Sequence, residues 1–139
     1  MTPSSTDIEY RTDRRLDAAT FKDILDRSGL AARRPVHDPQ RLTRMLAAYN
    51  LILTAWRGDL LVGVATCWTD YAYSAYLADL AVAADHQRTG IGRELVDRAR
   101  AAVGPQVTLI LLSAPQAVNY YPKIGMERFT DCFIFRRTE

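Results

Sequence analysis

Apolar positions at Leu16, Phe21, Ile24 and Leu25 recur with the spacing of one helical face, and Ser28-Gly29 supplies a stop. The stretch "LAARRPVHDP" follows as a loop. Asp38 then suits a helix N-cap and Pro39 a first helical position, with Leu42, Met45 and Leu46 as the apolar face. "LILTAWRGDLLVGVATCWTD" reads as a hairpin turning at Arg57-Gly58-Asp59, where glycine tolerates the positive φ of a tight turn. A short strand, "IEYR", precedes all of these, and "SAYLADLAVAAD" is a further strand. Leu95, Val96, Ala99 and Val103 then define a helix that Gly104-Pro105 terminates. The unbroken apolar run "QVTLILLS" predicts a strand buried on both faces. "APQAVNYYPKIG" predicts a short helix, and "MERFTDCFIFRR" one or two closing strands. The order is mixed α/β, with a strand–helix–strand–helix unit at its centre. Residues 1–7 read as a flexible tail and 8–139 as one domain, a size typical of a single core.

Composition narrows the function classes. Hydrophobic residues make up 48% and charged residues 24% of the chain, as in a globular domain. A formal net charge of +2 gives no electrostatic case for a nucleic-acid partner. No apolar run reaches the roughly 20 residues of a membrane span, and "MTPSSTD" has no signal-peptide core. Cys67 and Cys132 both lie in apolar, strand-like segments, so buried free thiols and a cytoplasmic location are expected. His37 and His86 stand alone, and no cluster has metal-ligand spacing, so no metal is expected.

The chemistry concentrates in "QRTGIGREL", between the strand and the third helix. A glycine-bearing turn at a helix N-terminus presents free backbone N–H groups and a favourable dipole for anions. Arg88 and Arg93 add positive charge on either side. "GIGREL" lacks the third glycine of a dinucleotide fingerprint, and no Gly-Lys-Ser/Thr makes a P-loop. Spacing alone leaves a phosphate cradle and a purely geometric turn both open.

With its flanks, "DLAVAADHQRTGIGREL" resembles the acyl-CoA-binding motif of the GNAT N-acetyltransferase superfamily, Q/R-x-x-G-x-G/A, and "NYYPKIGMER" resembles its second signature, aromatic-Tyr-Glu-Lys-x-Gly-Phe. The resemblance runs from about Ile8 to Phe135. It implies a single-domain α/β (α+β) fold, with a mixed, mostly antiparallel sheet of about six or seven strands, splayed at its centre and flanked by about four helices. It implies acetyl-CoA as donor of an acetyl group to an amine, with the pantetheine arm against the backbone of Leu80, Ala81 and Val82. Gln87, Arg88, Thr89, Gly90, Ile91, Gly92 and Arg93 would hold the pyrophosphate. Tyr121 matches the tyrosine that protonates the departing thiolate.

Two departures stand out. Pro122 replaces the usual glutamate and is expected to end or kink the helix at Tyr121. Ala114 replaces an asparagine that contacts coenzyme A in many relatives. Asp79, inside an apolar strand, is either a general base or a structural charge partnered by an arginine; a water chain to the amine is the alternative route for the proton. Arg33 and Arg34 read as solvated loop charges.

Trp68, Tyr71, Tyr73, Tyr76 and Tyr120 offer aromatic walls for an amine acceptor. "RRPVHDPQRLTRMLAAYNLILTAW", with Asp79 and "YYPKIGM", is also similar to the small GNAT group that includes plastid serotonin N-acetyltransferases, which implies a small arylalkylamine. A protein or peptide acceptor, and a non-catalytic acetyl-CoA-binding module, are the competing readings. The superfamily's frequent dimers add an expected homodimer, served by apolar surface on the closing strands.

Overall fold

The computed structural model describes residues 7–139; the first six residues of the expected tail lie outside them. The elements run β1 (Glu9–Arg11), α1 (Ala18–Ser28), α2 (Pro39–Ala48), β2 (Leu51–Arg57), β3 (Leu60–Thr69), β4 (Ser74–Val82), α3 (Ile91–Val103), β5 (Thr108–Leu111) and α4 (Tyr120–Lys123). One sheet holds the strands in the order β1-β2-β3-β4-β5. The first four are antiparallel, and α3 carries the chain across to a parallel β5.

Local chemistry explains the early elements. The Asp17 carboxylate accepts from the Thr20 N–H and caps α1, and Gly29 closes that helix at φ 86°. Asp38 accepts from the Arg41 N–H and starts α2. Helix α1 sends Phe21, Ile24 and Leu25 fully into the core. Burial of this kind contributes roughly 1.5–3 kcal/mol per side chain. They meet Leu42, Tyr49, Val64 and Ala81 on one sheet face. Ile91, Leu95, Val96, Ala99 and Val103 of α3 pack on the other face against Leu53, Val62, Ala65 and Leu77. Gly63 lets α3 lie close to β3. A Cβ there would stand 3.1 Å from both Ile91 Cγ2 and Leu95 Cδ1.

The C-terminal third departs from the sequence expectation. Among the described residues the sheet has five strands, not six or seven. "MERFTDCFIFRR" forms no ladder, and Phe129, Phe133, Ile134 and Phe135 stand in solvent. Without a neighbour on its outer side, β5 is an edge strand whose residues are half-buried or exposed, not a strand covered on both faces. Cys132 is exposed for the same reason, whereas Cys67 is buried as expected and its thiol is pushed up to about 11 by burial and then by the Asp79 charge. Pro122 does not end the helix at Tyr121. It sits in the first turn of α4, where its missing N–H has no helical partner to lose, and the Tyr121 carbonyl still accepts from Ile124 and Met126.

Candidate active site

Strand β4 organises the site. Its register with β3 slips where Thr66 faces Asp79 and Cys67 faces Leu77, leaving Ala78 as a bulge. Below the bulge, Ser74–Leu77 pair with β5; above it no residue of β4 does. The strands therefore part at Ala78, and Ala78–Val82 carry an open edge. The Ala78 carbonyl accepts from Arg34 Nη2 at 2.8 Å, and the Val82 carbonyl from Gln87 Nε2 at 2.9 Å. Leu80 and Val82 lean on the α3-side core while Ala81 packs on the opposite face.

The upper end of this edge runs into the glycine turn. Gly90 is the N-cap of α3 at φ 92° with no side-chain cap, so the first N–H groups of the helix are left for an acceptor from outside. Arg88 holds a positive φ of 65°, unusual for a side-chain-bearing residue, and stands exposed with Thr89 and Gly90. The Gln87 and Thr89 side chains serve the loop itself: Gln87 also reaches the Ser28 carbonyl, and the Thr89 hydroxyl donates to the His86 carbonyl at 2.6 Å. The Ile91 side chain is core, so this residue offers only its backbone to a ligand. Arg93 is exposed beside the turn. Gly92 faces α4, where a Cβ would come 2.9 Å from the Tyr120 hydroxyl.

A buried polar cluster occupies the bulge on the other sheet face. Asp79 is 1% exposed. Its Oδ1 accepts from Arg34 Nε at 2.5 Å, and its Oδ2 from the Tyr49 and Thr66 hydroxyls at 2.7 Å each. Arg34 is thus no solvated loop charge: its side chain is 21% exposed and held by Asp79 and two backbone carbonyls. Arg33 is exposed. Burial, then the neighbouring Asp79, raises the Tyr49 phenol well above its ordinary value.

Tyr121, on α4, is half-buried and edge-on to Tyr120, with ring centroids 5.2 Å apart. Burial pushes its phenol up and the Arg34 charge pulls it partly back, so it is protonated at neutral pH. Arg34 also acts on Tyr76.

Tyr49, Trp68 and Tyr76 stand in a row with 5.5 Å between successive ring centroids, the first pair tilted by 35° and the second stacked. Trp68 and Tyr76 line an open cavity of about 440 Å³ together with Asn50, Asp70 and Ile110. Asp70 Oδ1 accepts from the Ala72, Tyr73 and Ser74 N–H groups, which hold its carboxyl below the usual range. Tyr71 and Tyr73, also expected as aromatic walls, are exposed and do not line this cavity. His86 is buried with Nδ1 against Asp85, and His37 is exposed. Among the described residues no group of three His, Cys, Asp or Glu is placed to hold a metal, and no helix is long and apolar enough to cross a membrane.

Tyr49, Thr66 and Arg34 were not singled out as site residues from the sequence. A lone aspartate in an apolar strand signals that partners exist, but those partners lie 13 to 45 positions away.

Comparison with known proteins identifies the class. The acetyltransferase (GNAT) domain family matches residues 20–136, and the chain belongs to that family. It is a GNAT acetyltransferase, with acetyl-CoA as the cosubstrate the family implies. A GNAT-family acetyltransferase of Streptococcus pneumoniae TIGR4 has the same fold, with a TM-score of 0.72 at 24% identity over 96% of this chain and 100% of that one. A Deinococcus radiodurans R1 protein assigned to the acetyltransferases gives 0.75 at 24% identity, over 98% and 94%. An aminoglycoside acetyltransferase from a soil metagenome, solved with trehalose, gives 0.70 at 19% identity, over 95% and 96%. No protein of curated function matches the sequence.

Proposed function

We propose that the protein transfers an acetyl group from acetyl-CoA directly to the primary amine of a small aryl- or alkylamine. The observation that carries this reading is the open cavity at the paired end of β4, below the bulge, where the stacked Trp68 and Tyr76 adjoin the Asp70 carboxylate. An aromatic wall next to an anion attracts an alkylammonium and stacks on an aryl group.

The other end of β4 suits the donor. The uncapped N-terminus of α3, the open space beside the Gly90 Cα and the nearby Arg88 and Arg93 fit a pyrophosphate. The open edge from Leu80 to Val82 supplies backbone partners for an extended arm. Bound there, acetyl-CoA supplies the activated thioester. The Tyr121 hydroxyl protonates the departing sulfur, a role worth roughly 10²–10⁴-fold in rate. Asp79, held by three donors, positions Arg34 and Tyr49 and leaves the amine's proton to water. That arrangement supports the partnered-charge reading of Asp79 over the general-base one.

The test measures thiol release from acetyl-CoA against tryptamine, phenethylamine, polyamines and peptides. Turnover with the free arylalkylamines, and a KM for them that rises several-fold in Trp68→Ala, supports the reading. Turnover with peptides alone points to a protein acceptor. Acetyl-CoA binding without turnover on any acceptor points to a binding module. An aminoglycoside-type acceptor, suggested by the soil acetyltransferase seen in complex with sisomicin, would appear as turnover with aminoglycosides and not with aryl amines.

A further inference from the structure

The aromatic cavity and the place of acetyl transfer stand apart on β4. Asp70 lies beside Ser74, whose carbonyl accepts from the Asp70 N–H at 3.3 Å, and both residues line the cavity. A donor arm along Leu80–Val82, with its pyrophosphate at the α3 turn, ends at the Ala78 bulge, where β4 leaves β5. Strand β4 climbs about 13 Å between Ser74 and Ala78. A cation held at Asp70 is therefore out of reach of the thioester and is not the amine that is acetylated.

The cavity nevertheless suits a cation. Asp70 Oδ1 takes all three N–H bonds of the turn, from Tyr73, Ala72 and Ser74, and among the described residues no donor or cation reaches Oδ2. Beside it Trp68 and Tyr76 stack at 5.5 Å, and Tyr76 stands midway between Ser74 and Ala78 on the strand. Aromatic faces attract an ammonium, and apolar surface covers a polymethylene stem while its charged head stays in water. No lysine or arginine lines the cavity. Arg34 is compensated by Asp79, and of the charges felt at Tyr76 that of Arg137 is the weakest.

We infer that Asp70 sets acceptor specificity by holding a second ammonium of the acceptor, the one left unacetylated, and that the favoured acceptors are long-chain diamines and polyamines whose amino groups lie about 13 Å apart. The chain between the two amines runs over the faces of Trp68 and Tyr76. A monoamine uses this aromatic wall without the carboxylate and binds more weakly. The reacting end rests on the acetyl-transfer reading; the ammonium site at Asp70 does not.

The test compares thiol release from acetyl-CoA with diaminooctane, which spans most of the gap, diaminobutane, which does not, and octylamine, which has one amine. The KM for diaminooctane is expected about fivefold below those of the other two, the worth of one exposed ion pair, and to lose this advantage as salt is added. In Asp70→Asn, which keeps the Oδ1 acceptor for the turn, the KM values of diaminooctane and octylamine converge. Quenching of tryptophan fluorescence by diaminooctane, without acetyl-CoA, is expected to vanish in Trp68→Phe and to need several-fold more diamine in Asp70→Asn. Equal KM values for the three amines, or a diaminooctane advantage that survives Asp70→Asn, overturn the inference and leave acetyl transfer standing. Quenching that depends on Asp70 and salt, in a protein that turns over none of the amines, supports the ammonium site and overturns the transfer reading alone.

Discussion

Removing the Asp79 carboxylate tests the buried cluster most sharply. Asp79→Ala leaves Arg34 partly buried without its anion and takes the acceptor from two buried hydroxyls, Tyr49 and Thr66. Breaking a buried ion pair from one side costs about 3–5 kcal/mol, because the remaining charge keeps its desolvation penalty. With roughly 2.1 cal/mol/K of unfolding entropy per residue over 139 residues, the melting temperature falls by about 10–17 °C. Scanning calorimetry at neutral pH reads this directly. Arg34→Met in the same chain removes the stranded guanidinium, so the double variant is more stable than the sum of the single losses by about 1–3 kcal/mol. A shift below 3 °C for Asp79→Ala, or strict additivity with Arg34→Met, would show that the cluster is solvated and does not hold Arg34.

Other consequences follow from the same geometry. Gly63→Ala places a Cβ 3.1 Å from Ile91 and Leu95, and this overpacking costs about 1–3 kcal/mol in chemical denaturation; an unchanged midpoint would show that α3 yields freely. Gly92→Val brings its first added carbon 2.9 Å from the Tyr120 hydroxyl, and this overpacking between α3 and α4 is expected to lower stability by about 1–3 kcal/mol in chemical denaturation; an unchanged midpoint would show that the Tyr120 side chain swings aside freely. The Tyr121 phenol works as an acid only while protonated, and burial raises its pKa. Activity is therefore kept below that raised value and lost as pH rises through it, so kcat should hold through neutral pH and decline only above about 10. A decline centred near pH 8 would assign the acid role to another group.

What the sequence discloses and what it withholds divide along the range of the interactions. Asp17, Gly29, Asp38 and Pro39 act within one helical turn, so α1 and α2 could be read directly from the chain. The Gly58 turn and the face of α3 are similarly local. The run ending in Leu111 and Leu112 is apolar enough for a strand, but whether it is covered depends on what packs against its outer side, which periodicity cannot report. Arg34 looked solvated because its neighbours in sequence are loop residues; its carboxylate partner stands 45 positions on. The break expected at Pro122 does not form because the cost of a proline depends on its place within the helix, and α4 starts only two residues earlier. The glycine turn and Tyr121 were legible as a pair of signatures. The bulge at Ala78 that separates β4 from β5 shows only in the register.

The central claim is direct acetyl transfer with Tyr121 as the acid. It is tested most directly by the rate of thiol release from acetyl-CoA, with and without an arylalkylamine, in the unmodified protein and in Tyr121→Phe. The account predicts release that requires the amine and a kcat at least tenfold lower in the variant, with acetyl-CoA affinity unchanged. Amine-dependent release at the same kcat in Tyr121→Phe would contradict it.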